Sequence, residues 1–367
     1  MIAILSLAVF ALLIAFLEKQ SRDHCLDGLK YDVRTDRRCV ECGETFRMNT
    51  TVTNDKRLPV LFLKLAEYIP AELRIDPAQR GRLFRSESLF QSENTTLHQS
   101  MYILGYQKVK RSLEVSLEKR GRYLLRGARL TAGDLLGLKE ETEQVDLIRE
   151  IVVKPEREDI HEIERAFGGY LGDISVMRFI NPDPIQTIGF REYTGCEPQR
   201  DISWKQTLRM NRLMVKQYDY TAEERSSVLV DISGGTAGEI EACFRIARGV
   251  CEYLEDHRIV YGFYTNAVRV ASDFAESYIP DGIGNVHLET VLEQMGRADH
   301  MTVCTTAKLL EQTIINHSDT RSYVMITPHP EKKQKDLHRH EQLIGRKIFT
   351  IDASMYAHTE VQDDHTD

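Results

Sequence analysis

The sequence has no excess of positive charge: 48 Lys and Arg stand against 56 Asp and Glu, for a net charge of -8. A general nucleic-acid binder would gather a basic surplus on one face, so no nucleic-acid partner is expected. Cysteine is sparse and irregular, with seven residues at 25, 39, 42, 196, 243, 251 and 304. They form no even disulfide framework, which suits a reducing compartment. Cys39-x-x-Cys42 lacks the second Cys or His pair of a zinc site. It reads either as two free thiols at a strand end or as a metal or redox pair. The chain has no Walker motif, and the glycines of GGYLGD (168–173) lack the lysine and Ser/Thr of a phosphate loop, so that stretch reads as linker. No 20–50-residue repeat is apparent. Tryptophan occurs once, at Trp204.

Charge is also missing from the first seventeen residues, MIAILSLAVFALLIAFL, where Ser6 is the one polar side chain. As a helix this run would span about 26 Å, close to the hydrocarbon thickness of a bilayer. It predicts a transmembrane helix over 1–18, with the lipid bilayer engaged by residues 1–17. A secretory signal peptide would place Lys or Arg ahead of the run and a small-x-small site behind it, whereas here LEKQSRDH follows. Lys19, Arg22, Lys30, Arg34, Arg37 and Arg38 come next. By the positive-inside rule the body of the protein is expected in the cytoplasm, as a single-pass protein of the cell membrane.

The 42% hydrophobic and 28% charged content is that of a globular protein. Its length predicts two domains. From 28 to 155 short runs alternate apolar and polar residues with period two, as in Leu113, Val115 and Leu117, and Asn-Asp, Gly and Pro signals separate them. That pattern predicts a β-rich, sandwich-like domain. A linker is expected over 156–187 and a disordered acidic tail over 353–367. Between them, over 188–352, the period changes. SVLVDIS (227–233) reads as a continuous apolar strand, and Ile240, Phe244, Ala247, Val250, Cys251 and Leu254 recur at helical spacing. Strands then alternate with helix-like segments, which predicts an α/β domain with a mainly parallel sheet. Ligands of such sheets gather at the carboxyl ends of the strands, which points to Asp231 and Ser233.

IGFREYTGCEPQRDISWKQTLR (188–209) concentrates arginine, tyrosine and the lone tryptophan in a stretch with neither helix nor strand periodicity. Its residues Gly189, Arg191, Glu192, Tyr193, Gly195, Arg200, Ile202 and Trp204 resemble the signature G-x-R-E-Y-x-x-G-D-x-x-R-x-I-x-W of the bacterial family termed domain of unknown function 58. Cys196 stands where that family usually has Asp. CGETFRMNTTVTNDKRLPV and RGRYLLRGARLTAGDLLGL are similar to the family's G-E-x-F…N-x-x-x-L-P strand pair and R-G-x-Y…D-P-F-G-L turn. The resemblance implies an overall α+β protein: an N-terminal membrane helix, a β-sandwich-like domain, and an α/β domain like von Willebrand factor A. It also implies work as a non-catalytic adaptor or scaffold for a MoxR-type AAA+ ATPase, in assembly or maturation of other proteins.

A von Willebrand A-type D-x-S-x-S loop, with Thr and Asp from later loops, would hold Mg²⁺ through hard oxygens. Here the loop reads Asp231-Ile-Ser233-Gly-Gly235, and ITPHP (326–330) lacks the later acid. The resemblance therefore leaves a degenerate metal candidate at Asp231 and Ser233. The alternative function is an Mg-dependent adhesion or ligand-binding protein; otherwise Asp231 caps the following helix or pairs with a signature arginine. An enzyme would need a carboxylate or His poised beside a nucleophile; Glu192, Cys196 and Asp201 offer the groups, but Cys196 has no nearby His in sequence. No catalytic residue or cofactor is therefore expected, and the signature reads as a polar joint in which Arg191 and Arg200 pair with Glu192, Asp201 or Asp231. KKQKDLHRH (332–340) invites a nucleic-acid or metal reading and is expected to be a solvated helix face.

Overall fold

The computed structural model describes residues 25–76, 84–87, 94–133, 140–158, 187–195, 198–218, 225–269, 278–316 and 321–357. The chain divides into two compact units, Met1–Pro155 and Glu156–Asp367.

The first unit is built from ten strands among the described residues: β1 (Leu29–Thr35), β2 (Cys39–Val40), β3 (Phe46–Asn54), β4 (Val60–Pro70), β5 (Arg74–Ile75), β6 (Phe84–Glu87), β7 (Asn94–Ile103), β8 (Lys108–Ser116), β9 (Gly121–Gly133) and β10 (Glu140–Val153). They form a sheet of order β1-β3-β8-β5 and another of order β2-β10-β9-β4-β7-β6. Period-two alternation decides which side of each strand faces inward. On β3, Phe46, Met48, Thr50, Val52 and Asn54 are buried while the residues between them are not. Met48 and Val52 of one sheet share a core with Leu63, Leu65 and Leu130 of the other. A buried polar brace also joins the two sheets: Glu67 on β4 accepts from Tyr31 Oη at 3.0 Å and Thr50 Oγ1 at 2.6 Å, and pairs with Arg111. On β9, Gly127 has φ +88° where the register with β10 shifts, and a Cβ there would meet the carbonyl of Val145. Only glycine fits that bulge.

In the second unit β11 (Thr187–Glu192) pairs antiparallel with β12 (Met214–Tyr218), and α1 (Trp204–Met210) lies between them in sequence. A five-stranded sheet follows, ordered β16-β14-β13-β18-β19, from β13 (Arg225–Val230), β14 (Val260–Thr265), β16 (Tyr278–Gly282), β18 (Arg321–Thr327) and β19 (Phe349–Asp352). The short β15 (Ala267–Arg269) and β17 (Ala298–Thr302) form a separate antiparallel pair. Val228 and Val230 of β13 pack in one core with Phe244 and Val250 of α2 (Ala237–Asp256) and Val291 and Met295 of α3 (Asn285–Arg297). Leu229, pointing to the other face, shares a core with Leu309 and Leu310 of α4 (Thr306–Asn316) and Leu337 of α5 (Gln334–Ile344).

These observations correct the expected architecture. The described residues are 47% strand and 27% helix, so the fold is mostly β and sandwich-like. It is not the α+β protein with a von Willebrand factor A-like domain on a mainly parallel sheet that the alternation of elements suggested. The five-stranded sheet is mixed: β13 runs parallel to β14 and β18, and β18 to β19, but β16 is antiparallel to β14. Parallel neighbours need a crossover between them. Among the described elements, β15 and β16 follow β14 before α3, and the alternation is broken there.

No helix of the described residues is long and apolar enough to cross a membrane. The expected single-pass placement at the cell membrane is corrected accordingly, and the 1–18 segment that motivated it lies outside the described residues. The GGYLGD stretch, most of the 156–187 linker, Cys196 and the tail beyond 357 lie outside them too.

Candidate functional site

A heavily engaged buried charge in the second unit is Asp231, the residue directly after β13 and fully buried. Its own N–H donates to Ile326 O on β18, which fixes the backbone as it leaves the sheet. The carboxylate then collects donors from separate elements. Oδ1 accepts from the backbone N–H of Ser233 at 2.9 Å and from Asn266 Nδ2 at 2.6 Å. Oδ2 accepts from Thr306 Oγ1 at 2.6 Å and lies 3.0 Å from Lys333 Nζ. Asn266 follows β14, Thr306 opens α4, and Lys333 ends a tight turn (Pro330–Lys333) after β18. The carboxyl ends of three neighbouring strands and one helix start thus converge on one acid.

The second contacts tighten the cluster. Asn266 Nδ2 also donates to Ser233 Oγ at 2.7 Å, its Oδ1 accepts from the N–H of Ile232 at 3.0 Å, and Lys333 Nζ donates to Thr327 Oγ1. Burial alone would push the Asp231 carboxyl up. The Lys333 ammonium and the hydrogen bonds from Thr306 and Ser233 outweigh it and hold the group below the ordinary carboxylate range. Among the described residues, Asp231 does not cap the next helix as the sequence suggested, and its charged partner is Lys333. The first turn of α2 is closed by its own capping box, Thr236 with Glu239.

Whether these residues fit a divalent cation can be judged from the donor set. Asp231 and Ser233 are brought together, and Thr306 adds a second hydroxyl. However, the ammonium of Lys333 already stands 3.0 Å from Asp231 Oδ2. A cation there would face a like charge in a dry site. Gly235 is fixed by space: a Cβ at this position would lie 2.9 Å from Pro328 Cγ and 3.2 Å from Ile240 Cγ1. The hydroxyl missing from the loop has no room. With Lys333 in place the residues do not fit Mg²⁺.

The signature residues sit elsewhere in the same unit. Gly189, Arg191 and Glu192 lie on β11, the N–H of Tyr193 donates to Leu213 O, and Gly195 follows with φ +94°. Arg200 stands in the turn Gln199–Asp201, Ile202 bridges to Val215, and Trp204 opens α1. The stretch therefore holds a strand and a helix. Glu192 binds Arg212 at 2.6 Å on the surface, and Asp231 binds Lys333. Met214–Tyr218 pairs with β11. In place of a buried polar joint, α1 has no buried residue, and Trp204 is 64% exposed and Leu208 85%.

Asn266, Thr306, Thr327 and Lys333 went unnoticed in the sequence. Asn266 and Thr327 stand at strand ends, the rule that found Asp231. Lys333 was hidden in KKQKDLHRH, where Lys332, Lys335, His338 and Arg339 are exposed but Lys333, Leu337 and His340 are buried. In the first unit, Cys39 lies on β2, and Cys42 Sγ donates to the carbonyl of Glu118.

No protein-family model matches the chain. No curated protein matches it. Among solved structures, the chain is similar to the CARDB domain of a Pyrococcus furiosus protein, solved in complex with di-metal ions (11% identity, TM-score 0.22, 34% of this chain and 91% of that one). It is also similar to a cohesin module from a Clostridium perfringens family 33 glycoside hydrolase (11% identity, TM-score 0.24, 34% and 96%). A non-cellulosomal cohesin from Archaeoglobus fulgidus is a third (11% identity, TM-score 0.22, 34% and 91%). At these scores none of them lends this chain a function.

Proposed function

We propose that this chain is a non-catalytic interaction protein, an adaptor or scaffold that offers its 187–218 segment to a protein partner, with a MoxR-type AAA+ ATPase as the partner the signature resemblance implies. The observation that carries this reading is the apolar surface of that segment. Trp204, Leu208 and Met210 of α1 are exposed at 64%, 85% and 62%, and Phe190 and Leu213 at 40% and 44%. A seven-residue helix that buries none of its side chains gains little from its own domain. Large apolar side chains grouped in this way mark a contact surface more often than a solvated one, and tryptophan is the residue type most enriched in binding hot spots. Asp231 supports the non-catalytic part: both of its oxygens are engaged by fixed donors, which leaves no free acceptor for a substrate proton. The Mg-dependent alternative at Asp231 and Ser233 finds less support, because Lys333 already neutralises the acid.

The single tryptophan makes the test direct. Titration of the full chain with the ATPase from the same source should shift Trp204 emission to the blue as the indole leaves water. Trp204→Ala should weaken association by about thirtyfold, the equivalent of a 2 kcal/mol hot spot. Association at wild-type strength in both Trp204→Ala and Leu208→Ala, or none at low salt in the wild type, rejects the proposal.

A further inference from the structure

The Asp231 cluster has the composition of a hard-cation site with a lysine inside it. A carboxylate, the hydroxyls of Ser233, Thr306 and Thr327, and the carbonyl of Cys304 come from three separate segments and are linked through Asn266 and Lys333. Oxygens of this kind bind Mg²⁺, Mn²⁺ or Ca²⁺ when a site opens toward them. Here Lys333 Nζ stands 3.0 Å from Asp231 Oδ2 and also donates to Thr327 Oγ1, and its side chain is only 10% exposed. An ammonium is a compact point charge with three donors, able to do the electrostatic work of a bound cation without leaving with changes in solution composition.

We infer that Lys333 is a resident cation: its ammonium closes the Asp231–Ser233–Thr306 site permanently to metal, and the same oxygens form a divalent-cation site once that side chain is removed. The lysine reaches the carboxylate from the turn after β18, while Thr306 reaches it from the start of α4. The ion pair therefore ties together the loops at the carboxyl ends of the sheet in any metal concentration. The inference is independent of the adaptor proposal, which rests on a different surface.

The test uses the full chain and Mn²⁺ or Mg²⁺ alone, read by calorimetric titration and melting temperature. Wild-type protein should give no site-specific heat and no shift. Lys333→Ala should gain one Mn²⁺ site, with the melting temperature rising by about 5 °C or more at a hundredfold excess over Kd. Lys333→Ala combined with Asp231→Asn should lose that gain. If Lys333→Ala folds only in the presence of Mn²⁺, with chelator unfolding it, the inference stands in its strongest form. Wild-type binding of Mn²⁺ that Asp231→Asn removes would overturn it, as would a folded Lys333→Ala that gains no site. Acylation of native protein gives a readout that needs no folded variant. Lys332 and Lys335 should label while Lys333 resists, and Lys333 labelling at the same rate as those two would also overturn the inference.

Discussion

Replacing Lys333 with methionine keeps most of the side-chain volume and removes the charge. What remains is a carboxylate that is fully buried, with hydrogen bonds from Ser233, Asn266 and Thr306 but no counter-charge. Removing one partner of a buried ion pair costs about 3–5 kcal/mol, because the other charge stays out of water. In a unit of this size each kcal/mol moves the melting temperature by about 2–4 °C, so Lys333→Met should melt about 6–20 °C lower. The loss should shrink as pH is lowered, since the unpaired carboxyl, now pushed upward by burial, takes up a proton. Asp231→Asn in the same background removes the stranded charge. Its amide oxygen can accept from Ser233 and Asn266, and its NH₂ can donate to Thr306, so the double variant should recover most of the stability. Differential scanning calorimetry of the four proteins gives the coupling energy, expected at about 2 kcal/mol or more. A Lys333→Met variant within about 1 kcal/mol of wild type, or a cycle without coupling, would refute the view that this ion pair organises the site.

Gly235→Ser should destabilise the second unit without creating metal affinity, since its Cβ would press on Pro328 and Ile240; a neutral melting temperature would contradict this. Because the folded Asp231 carboxyl lies below its unfolded value of about 3.9, its contribution is complete above that value and disappears as pH falls through the folded one. Asp231→Asn should accordingly flatten the acid limb of a melting-temperature profile below about pH 4, and an unchanged limb would count against the assignment. In the first unit, Glu67→Ala should lower stability by about 3–5 kcal/mol in denaturant unfolding, by stranding Arg111 and unpairing Tyr31 and Thr50 between the sheets. Burial, with Glu141 beside it, pushes the Cys25 thiol up to about 11. Native Cys25 should therefore resist iodoacetamide at pH 8, and fast labelling would show that the residue is not held as described.

Local sequence reasoning reaches those features whose cause is local. The period-two runs of the first unit become strands because alternation alone decides which side chains are buried, as in β3. The apolar run ending at Asp231 becomes β13, and the helical spacing from Ile240 to Leu254 becomes the buried face of α2. Asp231 could be singled out because it directly follows an apolar strand. The antiparallel β16 edge could not, since strand direction depends on which neighbour a segment pairs with and not on its own pattern. The 188–209 segment misled for a related reason. Its density of arginine, tyrosine and tryptophan reads equally as a buried joint or as an exposed surface, and only the packing leaves Trp204 and Leu208 in solvent.

By itself, the sequence determined the strands of the first unit, β13 and the helix that follows it, and the presence of one acid at a strand end. Only the tertiary structure decided what that acid meets. Lys333 is 102 residues away along the chain, one of three lysines in a charged run, and nothing in its local pattern separates it from Lys332 or Lys335. It becomes the counter-ion because the turn after β18 returns to the carboxyl end of β13, the strand beside it in the sheet. Desolvation there makes an unpaired carboxylate far more costly than ordering one lysine side chain.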